Sequence, residues 1–321
     1  MKNNTFEEIV KVISEADRIL IFPHVNMDGD ALGSAAALCC ALRGQGKESY
    51  ILIEDRIPAN LAFLDRGYCT FDENVIKKQD LSICVDCGDP SRFEKRRKKF
   101  DEADVTICID HHGTTSPYCD YNYIDKDAAA AGELIYKLLL TMNTVINAEI
   151  GEAIFAAITT DTGNFQYSNT TAESHLITAA LYQAGIDWGK VSTELYENNR
   201  IERILIENTA LGTMSTVAGG KGVIAYVTRD MLRETGAVMD ETEHVVEKLR
   251  SIAGVEIAAF LKETEDGRVK VSLRSKSCAD VAAIAADLGG GGHVRAAGCT
   301  LSASLSEAFD LLKEKITDCL G

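Results

Sequence analysis

RILIFPH (residues 18–24) runs directly into VNMDGDALGS (25–34), an apolar run followed by an acidic turn and the start of a helical pattern. The first run is continuously apolar and reads as a buried strand. From Ala31 to Arg43 the pattern is helical, and Gly44 and Gly46 stop it. The same alternation recurs downstream. YILIE (50–54) is a second strand; LSICVDC (81–87) and VTICID (105–110) are two more, with the charged helix RFEKRRKKFDEA between them. Helices follow at about 128–142, 147–159 and 171–184. Continuous apolar strands alternating with helices predict an α/β fold with a parallel sheet covered on both faces.

After residue 186 the pattern changes. Residues 187–214 read as one long, mostly polar helix, which suits a connector between domains. VIAYVT (223–228), VEIAAFLKE (255–263) and RVKVSLRS (268–275) look like strands of a smaller mixed sheet. Helices at about 241–252, 279–287 and 305–319 would pack on it. The expected organisation is a first domain over 1–186, a helical linker over 187–214 and a second domain over 215–321, with no internal repeat. A length of 321 residues also suggests about two domains.

Composition narrows the function classes. The chain is 46% hydrophobic and 26% charged, ordinary for a soluble globular protein. It has no long uncharged apolar stretch and its N-terminus lacks a signal-peptide core, so no membrane partner and a cytoplasmic location are expected. Cys39, Cys40, Cys84 and Cys108 sit in apolar runs, where cysteine behaves as a small hydrophobe. Cys84 and Cys87 form a CxxC, but no second pair completes a four-thiolate site. They read as reduced thiols on or beside a buried strand. The net charge of −16 disfavours tight binding to long nucleic acids, duplexes included. Residues 206–321 carry 13 basic and 17 acidic residues, against 20 and 32 in residues 1–205, so the first domain holds most of the surplus carboxylate.

That carboxylate recurs with histidine at the ends of predicted strands. The first strand ends in His24, Asp28 and Asp30, the third in Asp86 and Asp89, and the fourth in Asp110, His111 and His112. A helix ends in TDTGNF, giving Asp161. In an open α/β sheet ligands bind at the carboxyl edge of the strands, where such residues converge. Carboxylates with imidazoles suit Mn²⁺, Fe²⁺, Co²⁺ or Zn²⁺. Five or six ligands exceed what one ion with an open position needs, which points to a two-metal phosphoryl centre. Taken singly, each motif is equally a turn or a helix cap; their common placement is what argues for metal. In the second domain LGGGGHVRAAG (288–298) lets the backbone approach an anion, and Arg274 ends a strand nearby.

These motifs resemble the DHH family of phosphoesterases with its associated C-terminal domain, over nearly the whole chain. HVNMDGDALGS, VDCGD, IDHHG and TDTGNF match the four metal motifs in order, and LRS with GGGGHVRAAG matches the C-terminal substrate motif. Within the family the likeness is to compact bacterial oligoribonucleases that also dephosphorylate 3′-phosphoadenosine 5′-phosphate. The resemblance implies one metal on His24, Asp28 and Asp86, and another on Asp30, Asp86, His111 and Asp161, with Asp86 bridging. It implies that His112 contacts the scissile phosphate and that Asp110 orients the paired histidines. Arg274, Ser275, Gly290, Gly291, Gly292 and His293 would hold the substrate from the opposite side of a cleft between the domains. The implied cofactor is two Mn²⁺. Met27 stands where the family often has Pro, a departure that removes no ligand.

The expected substrate is short RNA or 3′-phosphoadenosine 5′-phosphate, with activity falling as RNA lengthens. Alternatives are a cyclic di-adenylate or linear-dinucleotide phosphodiesterase, an inorganic pyrophosphatase, and a nucleotide-binding regulator without catalysis. The GGGGH segment argues against the pyrophosphatase and the full ligand set against the regulator. A homodimer is admitted by the sequence and not demanded by it.

Overall fold

The opening run forms β1 (Arg18–Phe22), entered from α1 (Phe6–Glu15), whose N-terminus is closed by a capping box between Thr5 and Glu8. Residues 3–321 are described in this computed structural model. Along β1 the side chains alternate. Ile19 and Ile21 join one apolar cluster and Leu20 and Phe22 another, so the strand is buried on both faces. The chain continues through α2 (Gly29–Gly44), β2 (Glu48–Leu52), β3 (Cys69–Thr70), β4 (Leu81–Val85), α3 (Arg97–Asp101), β5 (Val105–Asp110) and β6 (Tyr121–Ile124). The six strands form one parallel sheet in the order β3-β2-β1-β4-β5-β6. The chain winds outward from β1 through β2 to β3, then returns to place β4 on the other side of β1. The β1–β4 boundary is therefore the topological switch point, where helices leave in opposite directions and a crevice opens.

Four helices complete the first unit, which runs to Asn198: α4 (Ala131–Thr141), α5 (Ala148–Asp161), α6 (Ala172–Gln183) and α7 (Trp188–Ser192). α2 lies in close contact with α5 along GDALGSAAA. A Cβ at Gly33 would stand 2.5 Å from the Ala153 carbonyl oxygen and 3.0 Å from the Ala157 nitrogen, so only glycine permits this approach. The far edge of the sheet is covered by side chains. Asn3 and Asn4 accept from the backbone amides of Ile124 and Asn122 at 3.1 and 2.9 Å, occupying donors that an edge strand would otherwise expose.

The second unit, Asn199–Gly321, contains α8 (Ile201–Leu211), β7 (Ser215–Val217), β8 (Gly222–Val227), α9 (Arg229–Thr235), α10 (Val245–Arg250), β9 (Ile257–Glu263), β10 (Val269–Ser275), α11 (Val281–Asp287), β11 (Gly291–His293), β12 (Ala296–Leu301) and α12 (Leu305–Leu320). Its sheet has the order β11-β12-β10-β9-β8-β7 and is antiparallel except for the β8–β9 pair. The expected α/β architecture, a parallel sheet plus a smaller mixed one, is what folds.

The single helix expected over 187–214 is instead three pieces. α7 is followed by a π-helical turn, Thr193–Glu197, and the backbone leaves helical geometry at Asn198 before α8 begins. The first two pieces are tied to the first unit, where Tyr196 shares a hydroxyl hydrogen bond with Thr159 at 3.1 Å. α8 instead buries Ile206 and Ala210 among β8, β9 and α10 in the second unit. Packing on both sides, not solvation of a free connector, decides where this helix breaks.

Candidate metal centre

His24 follows β1 by two residues, Asp86 follows β4, and Asp110, His111 and His112 end β5, so three adjacent strands deliver their polar ends to the switch point. Asp28 and Asp30 arrive on the start of α2 and Asp161 on the end of α5. The close α2–α5 packing sets the distance between those carboxylates. Asp86 has φ +54°, a left-handed conformation that costs a non-glycine residue about 1 kcal/mol or more. It turns the carboxylate into the site, where Asp86 is 2% exposed.

The side chains meet in two groups that share Asp86. In the first, His24 Nε2 lies 3.7 Å from Asp28 Oδ2 and 3.5 Å from Asp86 Oδ2. In the second, His111 Nε2 lies 3.6 Å from Asp30 Oδ2, 3.4 Å from Asp86 Oδ1 and 3.6 Å from Asp161 Oδ2. These are too long for good hydrogen bonds. Two ligands about 2.1 Å from one ion and 90–120° apart lie about 3.0–3.6 Å from each other, which is close to the spacing here. Asp86 Oδ1 is buried and has no hydrogen-bond partner, an expense a fold does not ordinarily leave uncompensated. Donor type, spacing and this orphaned oxygen all fit divalent cations.

Electrostatics agree. Burial alone would lower the pKa of His24, but Asp28 and Asp86 override it and raise it to about 10. Burial likewise opposes charge on His111, and Asp86, Asp30 and Asp161 raise it to about 11. Burial would raise Asp86, yet His111 and His24 hold it well below the usual carboxylate range. Asp161 is raised to about 7, first by burial, with further repulsion from Asp28 and Asp86. Asp30 is pushed well above its ordinary value by burial and by Asp86. Without metal, the carboxylates are balanced by imidazolium charge; cations would take over that role.

The supporting bonds sort the residues by task. Asp28 divides its oxygens: Oδ1 caps α2 by accepting from the Ala31 amide at 3.0 Å, while Oδ2 faces His24. Asp30 accepts from Ser34 Oγ at 2.9 Å and from the amides of Ala131 and Gly132 at 2.6 and 2.9 Å. It thereby caps α4 from a hundred residues away, a duty the sequence reading missed; Ala130, at the N-cap position, has no side chain that can do so. Asp110 is fully buried and accepts from His112 Nδ1 at 2.8 Å, from the His112 amide at 3.3 Å and from the Thr115 hydroxyl. It orients His112 and raises its pKa. It does not orient both histidines as expected: the His111 ring is instead held at Nδ1 by the Ala128 carbonyl, 3.2 Å away.

In the second unit, strand register brings together residues remote in sequence. Arg274 pairs with Ala258 on β9 and with Ala296 on β12, and Ala296 pairs in turn with His293 on β11. Arg274 and His293 thus lie on one cross-strand row and one face of the sheet, separated by the small Ala296. The glycine run forms β11 and the turn into it, so GGGGH is a hairpin arm. Gly290, Gly291 and Gly292 lie exposed on it. Ser275 differs from expectation: it is 1% exposed and its hydroxyl donates to the Val294 carbonyl at 3.3 Å. Its place is in securing the hairpin to β10. Arg295 is likewise engaged, with Nη1 donating to the Ala279 carbonyl at 2.8 Å.

The DHH family N-terminal domain matches residues 18–160 and the DHHA1 domain matches residues 219–321. The bifunctional oligoribonuclease and PAP phosphatase NrnA of Thermus thermophilus is 31% identical over 315 residues, spanning 97% of this chain and 92% of its own. The chain belongs to the DHH family. NrnA of Bacillus subtilis is 28% identical, spanning 97% of this chain and 98% of its own. An exopolyphosphatase-related protein from Bacteroides fragilis superposes with a TM-score of 0.92 at 25% identity, covering 98% of this chain and 97% of that one. The DHH and DHHA1 matches fall in the first and second units respectively. Among the described residues no helix is long and apolar enough to cross a membrane.

Proposed function

We propose that this DHH protein is a two-metal phosphoesterase that hydrolyses short oligoribonucleotides to mononucleotides and 3′-phosphoadenosine 5′-phosphate to AMP. The observation that carries the metal reading is Asp86, a strained, buried carboxylate with an orphaned oxygen at the junction of two ligand groups. His24, Asp28 and Asp86 would hold one ion, and Asp30, Asp86, His111 and Asp161 the other. Manganese is the metal proposed, because the family resemblance implies it and the mixed carboxylate–imidazole set accommodates it. Two such ions supply hydroxide at neutral pH and neutralise charge on the reacting phosphate.

The chain's own residues do the rest. Asp110 holds His112 by Nδ1 and raises its pKa, orienting the ring to meet the scissile phosphate. Arg274, His293 and the backbone of Gly290–Gly292 bind the part of the nucleotide remote from the cleaved bond. Binding energy gained there aligns the phosphate for attack. A net charge of −16 disfavours tracking a long phosphate backbone, which supports short substrates.

The test is a panel under one Mn²⁺ and salt condition: dinucleotide, pentamer, 24-mer, 3′-phosphoadenosine 5′-phosphate, cyclic di-adenylate and pyrophosphate. The expected order has dinucleotide and 3′-phosphoadenosine 5′-phosphate fastest, with rates falling as RNA lengthens. Equal or faster processive degradation of the 24-mer overturns the short-substrate reading. Preference for cyclic di-adenylate overturns it in favour of a cyclic-dinucleotide phosphodiesterase.

A further inference from the structure

A flexible arginine makes a good phosphate anchor only if something fixes it, because its long side chain otherwise loses much rotamer freedom on binding. Arg274 is fixed by one carboxylate. Its Nε donates to Glu247 Oε1 at 3.0 Å, and its Nη1 donates to the Leu273 carbonyl at 3.1 Å. A guanidinium has five N–H donors, so these two bonds hold the plane and leave most of the fork for an anion. Both side chains are about three-quarters buried, at 27% and 23% exposure, so solvent screens the pair only in part.

Glu247 is well placed for this task. It sits on α10, whose Val246 and Leu249 are buried against the sheet. The neighbouring acids are committed elsewhere: Glu243 accepts from the buried Lys262 at 2.7 Å, and Glu207 is engaged by Lys248 and Arg203. Glu247 Oε1 is held by the Nε bond to Arg274, and the other oxygen, Oε2, is buried with no hydrogen-bond partner.

We infer that Glu247 is a positioning residue for substrate binding, holding the Arg274 guanidinium in the plane that receives a phosphate group of the nucleotide. This rests on the reading of Arg274 as the anchor. Its role is geometric. Removing its oxygen weakens binding; keeping the oxygen while removing the charge does not.

Three variants of the full chain separate these effects, assayed with Mn²⁺ on a dinucleotide and on bis-p-nitrophenyl phosphate, which lacks the remote group. Glu247→Gln keeps an oxygen in place without the charge and should leave the dinucleotide KM within about threefold of wild type. Glu247→Asp keeps the charge but withdraws it by one methylene, and Glu247→Ala removes both; each should raise that KM about tenfold. Turnover of bis-p-nitrophenyl phosphate should be unchanged in all three. Glu247→Ala added to Arg274→Ala should cause no further loss. A lower KM in Glu247→Gln and Glu247→Ala would show Glu247 competing with the substrate anion and would overturn the inference. So would wild-type KM in both Glu247→Ala and Glu247→Asp alongside an impaired Arg274→Ala, or equal losses on the two substrates. If Arg274→Ala itself has wild-type KM, the anchor reading fails, and the inference with it. Should Glu247→Ala not fold, the Asp and Gln pair carries the same test.

Discussion

Replacing Gly292 by alanine should detach substrate binding from metal chemistry. Gly292 has φ +144°, a conformation closed to residues with a side chain, at a cost of about 1–3 kcal/mol. An added Cβ would also stand 2.6 Å from both the Ala296 carbonyl oxygen and Ala297 Cα. These are backbone atoms of the paired strand and cannot swing aside, so overpacking adds about 1–3 kcal/mol more. Together the penalty is about 2–6 kcal/mol, applied to a three-residue, fully exposed edge strand. Such a strand is among the cheapest elements to release, so β11 should peel from β12 before the unit unfolds. The low end of that penalty already shifts the equilibrium between paired and released hairpin about thirtyfold toward release. The dinucleotide KM of Gly292→Ala should therefore rise at least about tenfold, while Mn²⁺ content and turnover of bis-p-nitrophenyl phosphate stay at wild type. Gly291→Ala is the control, because its Cβ would meet nothing within 4 Å. It should keep the hairpin, so any loss it shows reports close approach of substrate to that backbone. The assay is steady-state kinetics on both substrates beside a thermal melt. Wild-type KM in Gly292→Ala would refute the claim that the hairpin conformation serves substrate binding.

Gly33→Ala should destabilise the protein by about 1–3 kcal/mol, seen as a lower Tm, because its Cβ would press on the Ala153 carbonyl at 2.5 Å. Metal binding should release protons: His24 and His111, raised to about 10 and 11 without metal, must lose them to ligate. Apparent affinity should thus climb between pH 6 and 8, measured by calorimetry in buffers of different ionisation enthalpy; no net proton release contradicts the assignment. Glu256 accepts from the amides of Ser277, Cys278 and Ala279 at 3.0, 2.7 and 2.8 Å. Burial opposes its charge, but these bonds and the Ser277 hydroxyl lower its pKa to about 2. Its folded pKa is depressed, so its stabilisation is present above the unfolded value of about 4.3 and is lost as pH falls through the folded one. Glu256→Gln should cost about 1 kcal/mol at pH 7, after allowing for its exposure, and progressively less below pH 4 in urea titrations.

Much of the first unit was legible because its signals are redundant. LSICV and VTICID are continuous apolar runs, and each ends in the polar residues that the parallel sheet gathers at one edge. The strands β3, β6, β7, β11 and β12 escaped prediction for physical reasons. β3 is two residues long, and β6 has only four with a partly exposed pattern. β11 is mostly glycine, whose strand propensity is poor; it forms only because β12 templates it. Ser275 was expected as a substrate contact from the family's LRS motif, but alternation along β10 turns it to the other face from Arg274. The division of Asp30 between α4 and the ligand group, and the hold of Glu247 on Arg274, join residues too far apart for any local pattern to register.

In the proposed centre Asp86 would join two metal ions. The most direct measurement is metal content and dinucleotide turnover of Asp86→Asn beside the wild-type chain, with circular dichroism to show that both are folded. The amide keeps the size of the side chain and removes the charge between two cations. Two Mn²⁺ are expected per wild-type chain and fewer than two in Asp86→Asn, with a loss of turnover of about a hundredfold or more. Near-wild-type turnover with two ions still bound to Asp86→Asn would contradict the bridging role.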